Sequence, residues 1–159
     1  MIEEQVVLVD ARDNELGTSP KMQAHLEGRL HRAVSVFVFN SDGEMLLQQR
    51  AEGKYHSPGL WTNACCSHPR LGEKPHAAAN RRLREEMGLD SDLAYSFSFI
   101  YKARIGSNIW EHELDHVFVG TLDRDPVPNP EEVAGWRWIA PAQLREELAT
   151  NPGSFTVWF

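Results

Sequence analysis

The sequence predicts a mixed α/β fold, in which a sandwich of β-strands is flanked by helices, in one domain that spans residues 1–159. Short runs of β-branched and aromatic residues recur along the chain between turn-forming residues, which is typical of strands. Two segments rich in Ala, Arg and Glu each begin near a proline, which is typical of helices. A chain of 159 residues with 42% hydrophobic residues is also long enough to bury a core without disulfides.

The N-terminal half contains the first predicted strands. Residues 6–9 predict a short strand, and a loop through Leu16, Gly17 and Pro20 follows it. The run AVSVFVF at 33–39 predicts the next strand, and the turn at 40–43 joins it to a further strand over 44–50 in a hairpin. Residues 61–67 predict another extended segment, which ends before Pro69.

The C-terminal half begins with a helix expected between Lys74 and Gly88. Pro75 stands near its start and Gly88 just past its end, which are the usual helix boundary residues. Strands are predicted over 96–105 and 112–122, followed by an exposed proline-rich loop at 125–130. A last strand at 136–139 precedes a helix from Pro141 to about residue 149.

Composition excludes several classes of protein. The formal charge of -7 argues against nucleic acid or an anionic membrane as a partner, because both favour a basic surface. The sequence has neither an apolar run of roughly 20 residues nor a charged and apolar leader, so we expect a cytoplasmic protein. Cys65 and Cys66 are adjacent and cannot join distant segments, which is consistent with a reducing compartment.

The segment 67–89 carries the strongest motif. On a helix, Arg82 and Glu86 lie one turn apart, and a solvated charged face would account for such a pattern alone. The segment resembles the Nudix box, in which a cluster of carboxylates holds Mg²⁺ against a diphosphate. Ser67 replaces the first glycine of that motif, and Arg82 replaces its first helical glutamate. The matching positions are Glu73, Arg81, Leu83, Glu85, Glu86, Gly88 and Leu89.

Alternation along extended segments brings further polar side chains together. Cys66 and His68 should share one face, and a thiol beside a metal-bound or protonated imidazole would have a lowered pKa. Two buried, inert cysteines would give the same pattern. Glu111 and Glu113 should share a face about 7 Å apart, where they could bind one metal ion or could simply belong to an exposed edge strand.

The chain contains seven histidines, and sequence spacing alone assigns none of them. His25 and His31 are six residues apart and therefore do not share a helical face. Taken alone, each is explained better as a surface residue or a hydrogen-bonded core residue than as a metal ligand. The residues His56, His76, His112 and His116 have no predicted role.

Taken together, these segments resemble the type I isopentenyl-diphosphate isomerases over residues 4–158. The stretches that carry the resemblance are 31–33, 58–63, 66–69 and 111–113, together with Arg82. The resemblance implies a Nudix-like fold and an enzyme that shifts the double bond of isopentenyl diphosphate through a carbocation. It also implies a monomer that binds a small isoprenoid diphosphate.

The resemblance implies the following site residues. One divalent ion, Mn²⁺, Mg²⁺ or Zn²⁺, would be held by His25, His31, His68, Glu111 and Glu113, and Mg²⁺ entering with the diphosphate would be held by Glu86. The diphosphate would be bound by Lys21, Arg50, Lys54 and Arg82, and the apolar part of the substrate by Trp61 and Trp158. Glu113 with Tyr101 would provide the acid on one face, and Cys66 would act on the other. We also expect residues 152–159 to order over bound substrate.

Three alternatives predict different behaviour. A Nudix-type diphosphate hydrolase would share the fold but would leave Cys66 and His25 without a role, and Arg82 argues against it. An inactive Nudix-like module would bind a ligand without turnover. A structural zinc protein would be expected to use four ligands, often thiolates, which the histidine and glutamate pattern does not offer.

Overall fold

The protein is described by a computed structural model for residues 4–54, 56–105 and 107–159. Within these ranges the chain forms nine strands, three α-helices and a short 3-10 turn at Pro152–Ser154. In chain order they are β1 (Gln5–Val9), β2 (Glu15–Pro20), α1 (Lys21–Glu27), β3 (His31–Phe39), β4 (Met45–Arg50), β5 (Trp61–Thr62), β6 (Cys65–Ser67), α2 (Pro75–Met87), β7 (Ala94–Ile105), β8 (Ile109–Thr121), β9 (Val133–Ile139) and α3 (Pro141–Thr150).

The strands form one mixed sheet in which β3 pairs with the most neighbours. β3 runs parallel to β8 along its whole length, from His31 opposite Glu113 to Phe39 opposite Thr121. It also pairs in antiparallel fashion with β6 through its middle, and with β1 and β4 near its two ends. β7 pairs with β8, while β5 and β9 pair with β4. This arrangement brings the starts of β3 and β8 together near β6.

Helices cover both faces of the sheet. α2 packs through Leu83 and Met87 on the valines of β3 and on Leu46 of β4. The adjacent Leu47 points to the opposite face, where it packs with Leu144 of α3. Because successive strand residues face opposite ways, one strand supplies both cores. The predicted mixed α/β sandwich and its two helices are confirmed.

Two elements near the N-terminus were not predicted. The segment expected as a loop forms β2 and α1, and α1 is seven residues long. So short a helix does not display a periodic apolar face, and α1 has no side-chain cap at its start. The predicted strand over 61–67 is divided into β5 and β6. Asn63 lies at the break, where its side-chain amide donates to the carbonyl oxygens of Val36 and Cys65.

The C-terminal segment packs against the rest of the chain. Phe155 is buried and forms a bridge with Trp61, and the Thr156 hydroxyl donates to the Thr62 hydroxyl at 3.0 Å. These contacts place the segment beside β5, and the ordering of residues 152–159 over bound substrate stays a prediction. Among the described residues, no helix is both long and apolar enough to cross a membrane.

Candidate active site

A cavity of about 720 Å³ opens where β6 and the starts of β3 and β8 meet α2. Strand pairing brings these segments together although they are distant in the sequence. Of the predicted site residues, the cavity is lined by Lys21, Arg50, Lys54, Cys66, His68, Arg82, Glu86, Glu111, Glu113 and Trp158.

The deepest part of the site is a buried cluster of histidine and glutamate side chains. Nε2 of His31 lies 3.2 Å from Oε2 of Glu113, its partner in the β3–β8 register. Nε2 of His68, just after β6, lies 2.8 Å from the same oxygen. On α1, Nε2 of His25 lies 3.2 Å from Oε1 of Glu111. The five residues predicted as metal ligands therefore lie in one cluster.

The two glutamates in this cluster are electrostatically different. Burial, together with the neighbouring Glu113 carboxylate, raises the pKa of Glu111 to about 10. For Glu113 burial acts in the same direction, but contacts with the imidazoles of His31 and His68 outweigh it and lower the pKa. Burial also lowers the pKa of His25 to about 3, so that its imidazole is neutral. Two buried carboxyl groups in one cluster are costly to ionise together unless a cation offsets their charge.

This donor set fits a divalent metal ion. Three subsets of the cluster each have ligand atoms within 4.8 Å of one another, and His25, His31 and Glu111 each belong to two of these subsets. Neutral imidazole nitrogens and carboxylate oxygens suit Mn²⁺, Zn²⁺ and related ions. Within the described chain, neither cysteine belongs to these groups, which argues against a thiolate zinc site.

Cys66 is half-buried at the cavity wall, in a polar environment. Its thiol donates to Oδ1 of Asn63 at 3.1 Å and lies 3.6 Å from the Ser35 hydroxyl. That hydroxyl in turn donates to Oδ2 of Asp115 at 2.6 Å. Burial, and then the negative charge of Asp115, raise the pKa of Cys66 to about 12. Desolvation and a buried carboxylate thus dominate this pKa, and the lowering expected from a metal-bound or protonated imidazole stays a prediction.

The α2 side of the cavity carries Glu86 and the cations. Oε2 of Glu86 accepts a 2.7 Å hydrogen bond from the Cys65 thiol. Nε of Arg82 donates to the Ser67 hydroxyl at 2.9 Å, and Nη2 of Arg82 lies 3.3 Å from Glu132. Lys54 also pairs with Glu132. The positive groups are thus held at the cavity wall by acidic partners.

Of the predicted catalytic and aromatic residues, Tyr101 contacts Glu113 and Trp158 lines the cavity, but Trp61 lies elsewhere. The Tyr101 hydroxyl donates to Oε1 of Glu113, its register partner on β8. The Trp158 ring lines the cavity, with the guanidinium carbon of Arg50 5.4 Å from the ring centroid. Trp61 packs instead with the apolar cluster beneath α3 and is absent from the described lining of the cavity. Its predicted contact with substrate therefore does not follow from this structure.

Comparisons with known proteins identify the family. Residues 29–159 match the NUDIX domain family. An isopentenyl-diphosphate Delta-isomerase from Aromatoleum aromaticum is 51% identical over 99% of this chain and 83% of its own length. One from Serratia proteamaculans is 51% identical over 99% and 88%, and one from Nocardia farcinica is 46% identical over 96% and 89%. The chain belongs to the isopentenyl-diphosphate Delta-isomerase family.

Solved structures share the fold of this Delta-isomerase family member at much lower identity. A crystal structure from Deinococcus radiodurans covers 93% of the chain and 90% of its own chain, with a TM-score of 0.78 and 23% identity. The MutT protein from Methanosarcina mazei covers 82% and 87%, with a TM-score of 0.65 and 18% identity. These similarities support the Nudix fold alone.

Sequence reasoning missed three residues of this Delta-isomerase family site. Asp115 could have been found, because it continues the alternation of Glu111 and Glu113 along β8. Glu132 lies in the loop before β9 and has no local signal. Nε2 of His56, in the loop after β4, lies 3.1 Å from Oε1 of Glu111, and no spacing in the sequence predicts that contact.

Proposed function

We propose that the chain interconverts isopentenyl diphosphate and dimethylallyl diphosphate by adding one proton to the alkene and removing another. The observation that carries this proposal is a cavity that combines Cys66 and Glu113 with cations suited to a diphosphate. The identity of 51% with named isomerases over nearly the whole chain supports the same reaction.

Two proton transfers account for the reaction without change in composition. Glu113 and Tyr101 share the acid side: the proton that reaches the terminal alkene carbon is the one that the Tyr101 hydroxyl donates to Glu113, and the electrons of the double bond form the new C–H bond. Cys66 takes the proton from the carbon two positions away, and the electrons of that C–H bond form the new double bond. Cys66 acts in this step as the thiolate, and a metal ion held by the neighbouring His68 would favour loss of the thiol proton.

The intermediate carbocation requires a dry wall that tolerates positive charge. The Trp158 ring lies at the cavity beside Arg50 and His56. The face of an indole ring stabilises a nearby cation by about 0.5–2 kcal/mol. Trp158 is therefore the aromatic residue that we assign to the carbocation.

Metal ions supply fixed positive charge to this site. We assign one divalent ion, Mn²⁺, Mg²⁺ or Zn²⁺, to His25, His31, His68, Glu111 and Glu113, where it offsets the charge of two buried carboxylates. Mg²⁺ that enters with the diphosphate is assigned to Glu86. The cations at the cavity then bind the phosphate oxygens through charge-assisted hydrogen bonds, and they are Lys21, Arg50, Lys54 and Arg82.

We further propose that residues 1–159 act as one domain and as a cytoplasmic monomer, with a small diphosphate rather than nucleic acid or a membrane as partner. The charge of -7 disfavours both polyanionic partners. Light scattering coupled to size exclusion would test the monomer, for which the expected mass is 18.1 kDa. A mass of twice this value would contradict it.

Proton NMR of isopentenyl diphosphate incubated with the protein and Mg²⁺ in D₂O tests the reaction directly. We expect dimethylallyl diphosphate with deuterium in its new methyl group, because the added proton comes from an exchangeable acid. Release of phosphate or pyrophosphate without isomerisation would replace the proposal with a hydrolase. No turnover by protein that binds the metal would indicate a binding module.

A further inference from the structure

His56 lies at the metal cluster but is not among the residues that the family resemblance assigns to it. Its side chain is buried in the loop that follows β4, and its ring also lines the cavity. Nε2 of His56 lies 3.1 Å from Oε1 of Glu111, and Nε2 of His25 lies 3.2 Å from the same oxygen. Ligand atoms of these three residues all lie within 4.8 Å of one another.

The loop holds the His56 ring in a defined orientation. Ser57 adopts a φ of +51°, a left-handed conformation that is uncommon outside glycine. The Ser57 hydroxyl lies 3.3 Å from Nδ1 of His56, and a guanidinium nitrogen of Arg50 donates to the His56 carbonyl at 3.1 Å. When Nδ1–H donates to Ser57, Nε2 presents its lone pair toward the cluster, as a metal-binding imidazole requires.

The distances around Glu111 match those between neighbouring ligands of one ion. Divalent ions bind nitrogen and oxygen ligands at about 2.1 Å, so adjacent corners of an octahedron lie about 3 Å apart. The His56–Glu111 separation of 3.1 Å falls in the same range as the His25–Glu111 and His31–Glu113 separations of 3.2 Å. By this measure His56 is placed beside Glu111 as His25 is, and its ligand atoms group with those of His25 and Glu111.

We propose that His56 is a sixth protein ligand of this ion, added to the three imidazoles and two carboxylates already assigned. The proposal deepens the metal centre of the proposed function and rests on it. With all six positions taken by protein atoms, the ion has no position for water or substrate. Its role is then that of a fixed charge that orients Glu111 and Glu113, while the diphosphate binds elsewhere in the cavity.

Pulsed EPR of the Mn²⁺-loaded protein tests the ligand set without measuring activity. Nitrogen couplings should show four bound imidazoles in the unmodified chain, and deuterium couplings in D₂O should show no bound exchangeable water. His56→Phe keeps an aromatic ring against Trp158 but has no ligand atom. It should show three imidazoles and one water, with Mn²⁺ affinity at least about 10-fold weaker.

The matched control is His76→Asn, which changes another histidine, one that bonds the Leu93 carbonyl far from the cluster. It should keep four imidazoles and the original affinity. Three imidazoles and one water in the unmodified chain would overturn the sixth ligand and leave the rest of the metal centre intact. A chain that binds no Mn²⁺ at the cluster would overturn both, and the NMR assay would still decide the isomerase activity by itself.

Discussion

The Cys65 thiol donates a 2.7 Å hydrogen bond to Oε2 of Glu86, and this contact joins β6 to α2 beneath the cavity. Burial raises the pKa of Cys65 well above its ordinary value, so the thiol keeps its proton and remains the donor. Burial also raises the pKa of Glu86. The adjacent Cys66 points the other way, toward Asn63 and Ser35. The two neighbouring cysteines therefore make contacts on opposite sides of β6: Cys65 contacts Glu86 of α2, and Cys66 contacts Asn63 and Ser35.

Replacing Cys65 by Ala should raise the Mg²⁺ concentration that the protein needs for turnover, rather than abolish turnover. The Glu86 carboxylate would lose the hydrogen bond that orients it, and residues that orient metal ligands commonly contribute 10-fold or more to metal affinity. We expect the Mg²⁺ concentration for half-maximal rate to rise about 10-fold, with the rate at saturating Mg²⁺ changed far less. Steady-state rates across a Mg²⁺ series measure both quantities.

Cys65→Ser is the matched control, because a hydroxyl keeps a donor at this position. It should need a Mg²⁺ concentration close to that of the unmodified protein. If Ser and Ala raised the requirement equally, the loss would come from packing in the core and not from the hydrogen bond to Glu86.

Cys66→Ala and Glu113→Gln should each lower kcat by about 10²- to 10⁴-fold, because each removes a group assigned to proton transfer. Circular dichroism and the thermal midpoint should show that the fold is retained. Cys65→Ala at saturating Mg²⁺ provides the comparison. Equal losses in kcat for the two cysteine variants would contradict the assignment of Cys66 to the cavity and Cys65 to α2.

Elements with strong local signals were predictable from the sequence. The apolar alternation of β3 and the boundary residues Pro75 and Gly88 of α2 each specify structure through nearby residues. The same alternation predicted that Glu111 and Glu113 share a face, and the structure places both in the cluster. Applied one step further, it would also have predicted Asp115.

Features that depend on distant packing were not predictable. α1 is too short for a periodic pattern, and its position follows from contacts with β2 and β8. His56 reaches Glu111 only because Ser57 turns the loop into a left-handed conformation, which its sequence does not require. The effect of Asp115 on the pKa of Cys66 was not predictable, since this buried carboxylate behind Ser35 is visible only in three dimensions.

The contribution of Glu73 to the stability of the fold should depend on pH. Its carboxylate accepts two hydrogen bonds from the Arg81 side chain, at 2.8 and 2.9 Å, and one from the Arg70 amide. These contacts, led by Arg81, lower the pKa of Glu73 below 4.5. The folded state therefore binds this proton more weakly than the unfolded state. The stabilisation is present above pH 4.5 and is lost as the pH falls through the folded pKa.

Glu73→Gln should accordingly lower the free energy of unfolding by about 1 kcal/mol at pH 7, a value that allows for solvent screening of a partly exposed pair. The difference from the unmodified protein should shrink as the pH falls from 4.5 through the lower pKa of the folded state. Urea denaturation at pH 7 and at a series of acidic pH values measures it, with the exposed Glu131→Gln as the control. A loss that stayed constant with pH would show that the ion pair is not its source.

Gly88 limits where α2 can end. It closes the helix with a φ of +63°, and a Cβ at this position would lie 2.5 Å from the Val127 carbonyl oxygen. The Val127 backbone cannot move away easily, because its N–H donates to the Met87 carbonyl at 2.9 Å. Gly88→Ala should therefore cost more than the left-handed conformation alone, at least about 2 kcal/mol of unfolding free energy.

Gly28→Ala separates the cost of the left-handed conformation from the cost of the contact with Val127. Gly28 closes α1 with a similar φ of +67°, but its nearest contact would be an ordinary 3.6 Å to Trp110. It should cost about 1 kcal/mol, since only the conformational penalty applies. Urea denaturation of both variants measures the difference. Equal losses would mean that the contact with Val127 relaxes freely, and that the loop after Asp125 does not fix the end of the helix that carries Arg82 and Glu86.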